Sequence, residues 1–169
     1  MLTMKTTDYI KMELEMCKTW VMGLASDMAD APLTFPTPNG GNHPMWVMGH
    51  MAYSESNLLH TFILNDENPL ADWKNLFGQQ GSQPTDDATA YPPYDEVIAK
   101  LESVRAETLA YLDSITDEDL NKSSHAPEEY KAFFGTIGQV FAMMSIHLSF
   151  HGGQVADARR AAKKEVLMA

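Results

Sequence analysis

The chain has 169 residues, 44% of them hydrophobic, with a formal net charge of -11 and a single cysteine. That length suits one domain spanning residues 1–169 with enough chain to bury a core unaided, and lone Cys17 excludes an internal disulfide framework and fits a reducing, cytoplasmic setting. The acidic balance disfavours nucleic acid, whose affinity comes largely from Lys and Arg neutralising phosphates, and no apolar run reaches the roughly 18 residues that a membrane span needs.

The opening MLTMKTTDYIKMELEM holds no uninterrupted apolar h-region, so no signal peptide is expected. A first helix is predicted from about Thr7 to Asp30. Tyr9, Met12, Met16, Trp20 and Leu24 recur at three- and four-residue steps as its apolar stripe. Thr6 and Thr7 are its expected caps, and Pro32 its stop. A second helix is predicted from about His43 to Asn65. Asn42 serves as N-cap and Pro44 sits in the first turn, where a missing N–H removes no bond. Trp46, Val47, His50, Met51, Leu58 and Phe62 form its buried side, and Glu55 falls outside.

Residues 66–93 follow, rich in Pro, Gly, Asp and Gln. A connection this long is uncommon in a compact domain. A four-helix bundle gives it a role: if helices two and three run parallel, the chain must travel back along the bundle. Trp73, Leu76 and Phe77 would pin it down. The third helix is predicted from Tyr94 to Ile115, with Val97, Leu101, Val104, Thr108, Tyr111 and Leu112 inward. Thr116 and Asp119 then read as a capping pair opening a short turn. The fourth helix, from about Gly135 to Lys164, ends in Arg159, Arg160, Lys163 and Lys164, cations that complement the helix dipole.

The fourth helix contains SIHLSFHGGQ, residues 145–154. His147 and His151 lie four apart on one face, about 6 Å apart along the axis. Two imidazoles so placed can share one ion, as in the HExxH zinc motif, although the general-base Glu of that motif is absent. The alternative is two core-edge histidines bonded to backbone or side chains. A third ligand is available if helices two and four are antiparallel neighbours: His50, with Trp46 one turn before it. Three neutral imidazoles leave an open position, the pattern of a catalytic ion. His43 and His60 are too far along the axis to join, and His125 reads as a loop residue.

Gln154 is positioned to orient a ligand or bond metal-bound water, or to cap a buried polar gap, and Tyr53, Ser54 and Asn57 mark either a pocket or a solvated edge of the bundle. Gly152 and Gly153 signal either close approach of a ligand or close helix packing. Met12, Met16, Met51, Met143 and Met144 are expected to fill core gaps, and Cys17 to be a buried small hydrophobe.

Taken together, NHPMWVMGHMAYSESNLL (42–59) and IGQVFAMMSIHLSFHGGQVADARR (137–160) resemble the DinB/YfiT-like superfamily of metal-dependent enzymes. Its pattern puts one histidine in a Trp-containing second helix and an H-x-x-x-H-x-G-Q run in the fourth. Here these are His50, then His147, His151, Gly153 and Gln154. The segment NPLADWKNLFGQQGSQP (68–84) and TDEDL are similar to the family as well.

The resemblance implies an all-α, up-down-down-up four-helix bundle with a long crossover between helices 2 and 3. It also implies a divalent ion, nickel or zinc, on His50, His147 and His151, and a homodimer. Characterised relatives include bacillithiol S-transferases and mycothiol-dependent maleylpyruvate isomerase. The implied activity is activation of a low-molecular-weight thiol, or water, for transfer to an electrophilic small-molecule substrate. That would make the chain a thiol S-transferase or a hydrolase. The alternative is a non-catalytic stress-response binding or dimerisation bundle with a structural or sensory metal site.

Overall fold

The computed structural model describes residues 3–28, 33–34, 41–78, 82 and 84–165. Among them the regular structure is helical, with one isolated antiparallel bridge between Ser123 and Thr136. The helices are α1 (Thr6–Ser26), α2 (Pro44–Asn57), α3 (Lys74–Phe77), α4 (Tyr94–Ser114), α5 (Lys131–Phe134) and α6 (Ile137–Ala161). α2 runs on as a π-helical segment, Leu58–Leu64, and stops at Asn65, which adopts φ 60°. Asn tolerates this left-handed conformation better than most residues.

The four long helices pack as neighbours, α1 against α6 and α2 against α4, with α2 also meeting α6. Two apolar clusters fill the interior. One joins Val21 and Leu24 late in α1, Trp46 and Met48 early in α2, Val97 and Leu101 early in α4, and Leu148 and Val155 late in α6. The other joins Leu14, Leu59 and Phe62 to Leu112 late in α4 and to Val140 and Phe141 early in α6. The connection between α2 and α4 lies against the first cluster through Leu70, Trp73, Phe77 and Tyr91, with Leu76 partly buried. Gln79, Gln80, Gly81 and Gln83 of that connection lie outside the described residues.

Several expectations need correction. Most of the stripe assigned to the first helix faces solvent: Tyr9, Met12, Met16 and Trp20 are 42 to 64% exposed, and of its members Leu24 is buried. The buried side is Thr7, Leu14, Val21, Leu24 and Ala25, roughly opposite at 100° per residue. The helix is apolar on two sides, and periodicity alone cannot say which side meets the core. Met12 and Met16 therefore fill no core gap. The helix also ends at Ser26, while Asp30 and Pro32 lie outside the described residues.

Its cap comes from elsewhere too. The Asp117 carboxylate accepts from the backbone N–H groups of both Thr6 and Thr7, satisfying donors that a helix start leaves open. At α2 the cap is His43, not Asn42: the Nδ1 of His43 accepts from the Trp46 N–H at 3.1 Å.

Glu55 is not an outer charge. Every residue from Pro44 to Ala52 is buried, so α2 has no solvent face there, and Glu55 is 5% exposed. Its two carboxylate oxygens accept from Nε and Nη2 of Arg105 at 2.8 and 2.7 Å. Arg105 is itself 1% exposed. Cys17 is only partly buried, with Sγ 3.5 Å from Ser149 Oγ.

Other expectations hold. Val97, Leu101, Val104, Thr108 and Leu112 face inward on α4. Thr116 donates to Asp119 from both backbone and hydroxyl. α6 starts with a capping box that sequence reading passed over: Gln139 N–H donates to the Thr136 hydroxyl, and Thr136 N–H donates to Gln139 Oε1.

Candidate metal centre

Three histidines from two helices meet in the first apolar cluster. α6 carries His147 and His151 one turn apart, and α2 brings His50 across to them. The Nε2 of His147 lies 3.2 Å from Nε2 of His50 and 3.1 Å from Nε2 of His151. One nitrogen of each ring falls within 4.8 Å of the other two. His50 and His151 are 2% and 5% exposed, and His147 is partly buried.

Two of the rings are held from behind. His50 Nδ1 donates to the backbone carbonyl of Phe77 at 2.6 Å. His151 Nδ1 donates to Gln154 Oε1 at 2.6 Å, and that oxygen also accepts from Asn42 Nδ2 at 3.0 Å. With the proton fixed on Nδ1, each Nε2 turns a lone pair toward the cluster. Trp46 stacks on His50 with ring centroids 4.4 Å apart and planes inclined by 12°.

Phe77 reaches this position because residue 49 is glycine. A Cβ there would fall 2.1 Å from the Phe77 ring. Gly49 and the Phe77 stretch of the connection after α2 together set the angle of His50.

The family model for the DinB superfamily matches residues 13–155. The chain belongs to the DinB superfamily. The matched span takes in His50, His147, His151 and Gln154. No curated protein matches the chain by sequence.

In this DinB-superfamily chain the triad is electrostatically poised to stay neutral. Burial lowers His50 to about 4, only partly offset by its bond to Phe77. Burial and then the neighbouring His151 and His50 lower His147 to about 3. Burial also lowers His151, against the opposing bond to Gln154. Near pH 7 all three rings therefore present lone pairs rather than charges, as metal ligation requires.

The other histidines stand outside the cluster among the described residues. His43 Nε2 lies 2.8 Å from the carbonyl of Thr85, which fixes the tautomer that caps α2. His60 Nε2 lies 3.1 Å from Glu107 Oε2. His125 is exposed.

Tyr53, Ser54 and Asn57 do share a cavity. They line a cleft of about 490 Å³ that reaches His147 and continues past Phe62 and Phe134. Burial raises the Tyr53 hydroxyl pKa. Gly152 answers to helix packing, since a Cβ there would meet Val21 of α1 at 2.8 Å, whereas Gly153 faces open space.

Sequence reading missed Gly49, Phe77 and Asn42 as supports of the site. A glycine directly before the ligand candidate, in the interior of a helix, was the available signal for the first. The Phe77 carbonyl had none, because main-chain acceptors leave no mark in side-chain type.

Proposed function

We propose that His50, His147 and His151 hold a divalent metal ion, nickel or zinc, and that the chain is a metal-dependent enzyme of the DinB type. The observation that carries the reading is the convergence of three ring nitrogens whose outer partners, Phe77 O and Gln154 Oε1, fix the orientation of two rings. Outer-shell acceptors of this kind accompany metal-ligating histidines generally. Such an ion would lower the pKa of a thiol or water at an open position, supplying a nucleophile at neutral pH.

The protein's own residues contribute orientation and shelter. Gln154 and Phe77 lock two rings, Trp46 covers His50 from bulk water, and Tyr53 and Asn57 offer polar contacts to a small molecule entering the cleft. The substrate is an electrophilic small molecule, and the co-substrate a low-molecular-weight thiol or water. We place the helices in an up-down-down-up order. It is supported by the joining of late α1 and late α6 with early α2 and early α4 in one apolar cluster. A free cysteine suits a cytoplasmic setting.

A second reading, a non-catalytic dimerisation bundle with a structural ion, is favoured by one observation. Met16, Trp20 and Phe150 are 50 to 65% exposed on the paired helices α1 and α6. Exposed large apolar side chains on neighbouring helices are the raw material of an interaction surface. We assign that face to a homodimer under either reading.

The test is elemental mass spectrometry of the purified protein beside a His147→Ala, His151→Ala double variant. Near one equivalent of metal in the parent and little in the variant is expected. No metal in the parent, even after adding zinc or nickel, would refute the metal centre. Screening electrophiles with several thiols then separates the enzyme from the bundle.

A further inference from the structure

We propose that the cleft beside His147 takes a small molecule with an aromatic or bulky apolar body and a single carboxylate, and that Lys74 selects the carboxylate. This rests on the metal-centre reading for the chemistry performed and deepens it by naming the class of molecule held beside the triad. Its binding component can be tested without any metal.

The cleft is assembled from three separate parts of the chain. The end of α2 supplies Tyr53, Asn57 and Phe62, α3 supplies Lys74, and α5 and α6 supply Phe134 and His147. At about 490 Å³ it falls in the size range of small-molecule sites. Phe62 and Phe134 meet edge to face with centroids 5.4 Å apart, forming one apolar wall. Such a wall suits a ring or a branched hydrocarbon.

Lys74 is the only Lys, Arg, Asp or Glu among the described lining residues. It has no carboxylate partner among the described residues. The chain as a whole carries a net charge of -11, so its general field repels anions. One uncompensated ammonium at the cleft therefore marks where an anionic group is tolerated. A single monocation, with no arginine and no cluster of backbone donors, matches a carboxylate better than a phosphate dianion. Lys74 also stands three residues before Phe77, whose carbonyl holds His50, so one short helix ties the charge to the triad.

The test is calorimetric titration of the metal-stripped full chain at low salt with two probes, 4-phenylbutyrate and its neutral isostere 4-phenylbutyramide. Stripping the metal removes direct carboxylate–metal attraction. The parent and Lys74→Arg should bind the carboxylate about threefold to fivefold more tightly than the amide, and Lys74→Gln should bind them equally. The preference should fade at high salt. Lys74 is exposed, so neither substitution removes a packed side chain. Equal binding of the two probes by the parent, a preference that survives in Lys74→Gln, or binding of neither probe would overturn the proposal. Zinc uptake by the same samples is measured separately. Uptake without a carboxylate preference ends this proposal alone, and a preference without uptake ends the metal centre alone.

Discussion

The ring of His50 is aimed by the main chain of Phe77, 27 residues further on, through a bond of 2.6 Å. The contact requires Phe77 to sit where a side chain at position 49 would be. Gly49→Ala should therefore push the Phe77 ring away, loosen His50 and weaken zinc binding by about tenfold to a hundredfold. Overpacking should also lower stability by about 1–3 kcal/mol. Adding Phe77→Leu, which makes room, should recover part of both losses. Competition titration with a chromophoric chelator measures the affinity. Undiminished zinc binding in Gly49→Ala would show that the loop does not position the ligand.

The metal-free protein should lose stability as pH falls below about 6.5. In the folded state His50 is held near 4 and His147 near 3, against an ordinary value of 6.5. Between those limits the unfolded chain binds protons that the folded chain does not, so acid favours unfolding. Each such histidine adds a slope of up to about 1.4 kcal/mol per pH unit, and contributes no slope well above 6.5. Urea midpoints at pH 7.5, 6 and 5 should fall more steeply for the parent than for His147→Ala. Parallel profiles would contradict the lowered values.

Glu55 and Arg105 should behave as a unit. Removing one partner leaves the other charge buried, so Glu55→Leu or Arg105→Met alone should cost about 3–5 kcal/mol. The paired replacement Glu55→Leu with Arg105→Met should lie much closer to the parent. Guanidinium denaturation of the four proteins gives the coupling energy directly. Simple additivity of the two losses would mean the pair is not coupled.

Met16→Glu with Trp20→Glu should abolish self-association while leaving metal content unchanged, because both side chains are exposed and stand apart from the triad. Sedimentation should give about twice the chain mass for the parent and about 18.8 kDa for the variant. A parent that sediments as a monomer would refute the dimer.

Much of the site was legible because its chemistry lies in side chains at helical spacing. His147 and His151 announce themselves four apart, and Trp46 marks the inward face that His50 shares. The apolar residues of the long connection after α2, Trp73 and Phe77, also marked it as packed against the helices. Glu55 was misjudged because a carboxylate suggests solvent, and nothing local reveals an arginine 50 positions away. α1 was turned inside out for a different reason. Its methionines and aromatics form a stripe as regular as the Leu14 and Val21 side. Local pattern is blind to which of two apolar faces the rest of the chain will cover. The Asp117 cap of α1 likewise depends on a partner distant in sequence.

The triad divides unequally between near and far. His147, His151 and Gln154 come from two turns of one helix and can find one another within that helix alone. His50 lies 97 positions from His147, and its orientation waits on closure of the connection that bears Phe77. Closing long loops is the slow part of folding, since chain entropy is lost before the contact forms. Helix formation alone suffices to pair two imidazoles, while the third depends on closure of the connection. A chain with that connection misplaced would keep the α6 pair and lack His50 beside it.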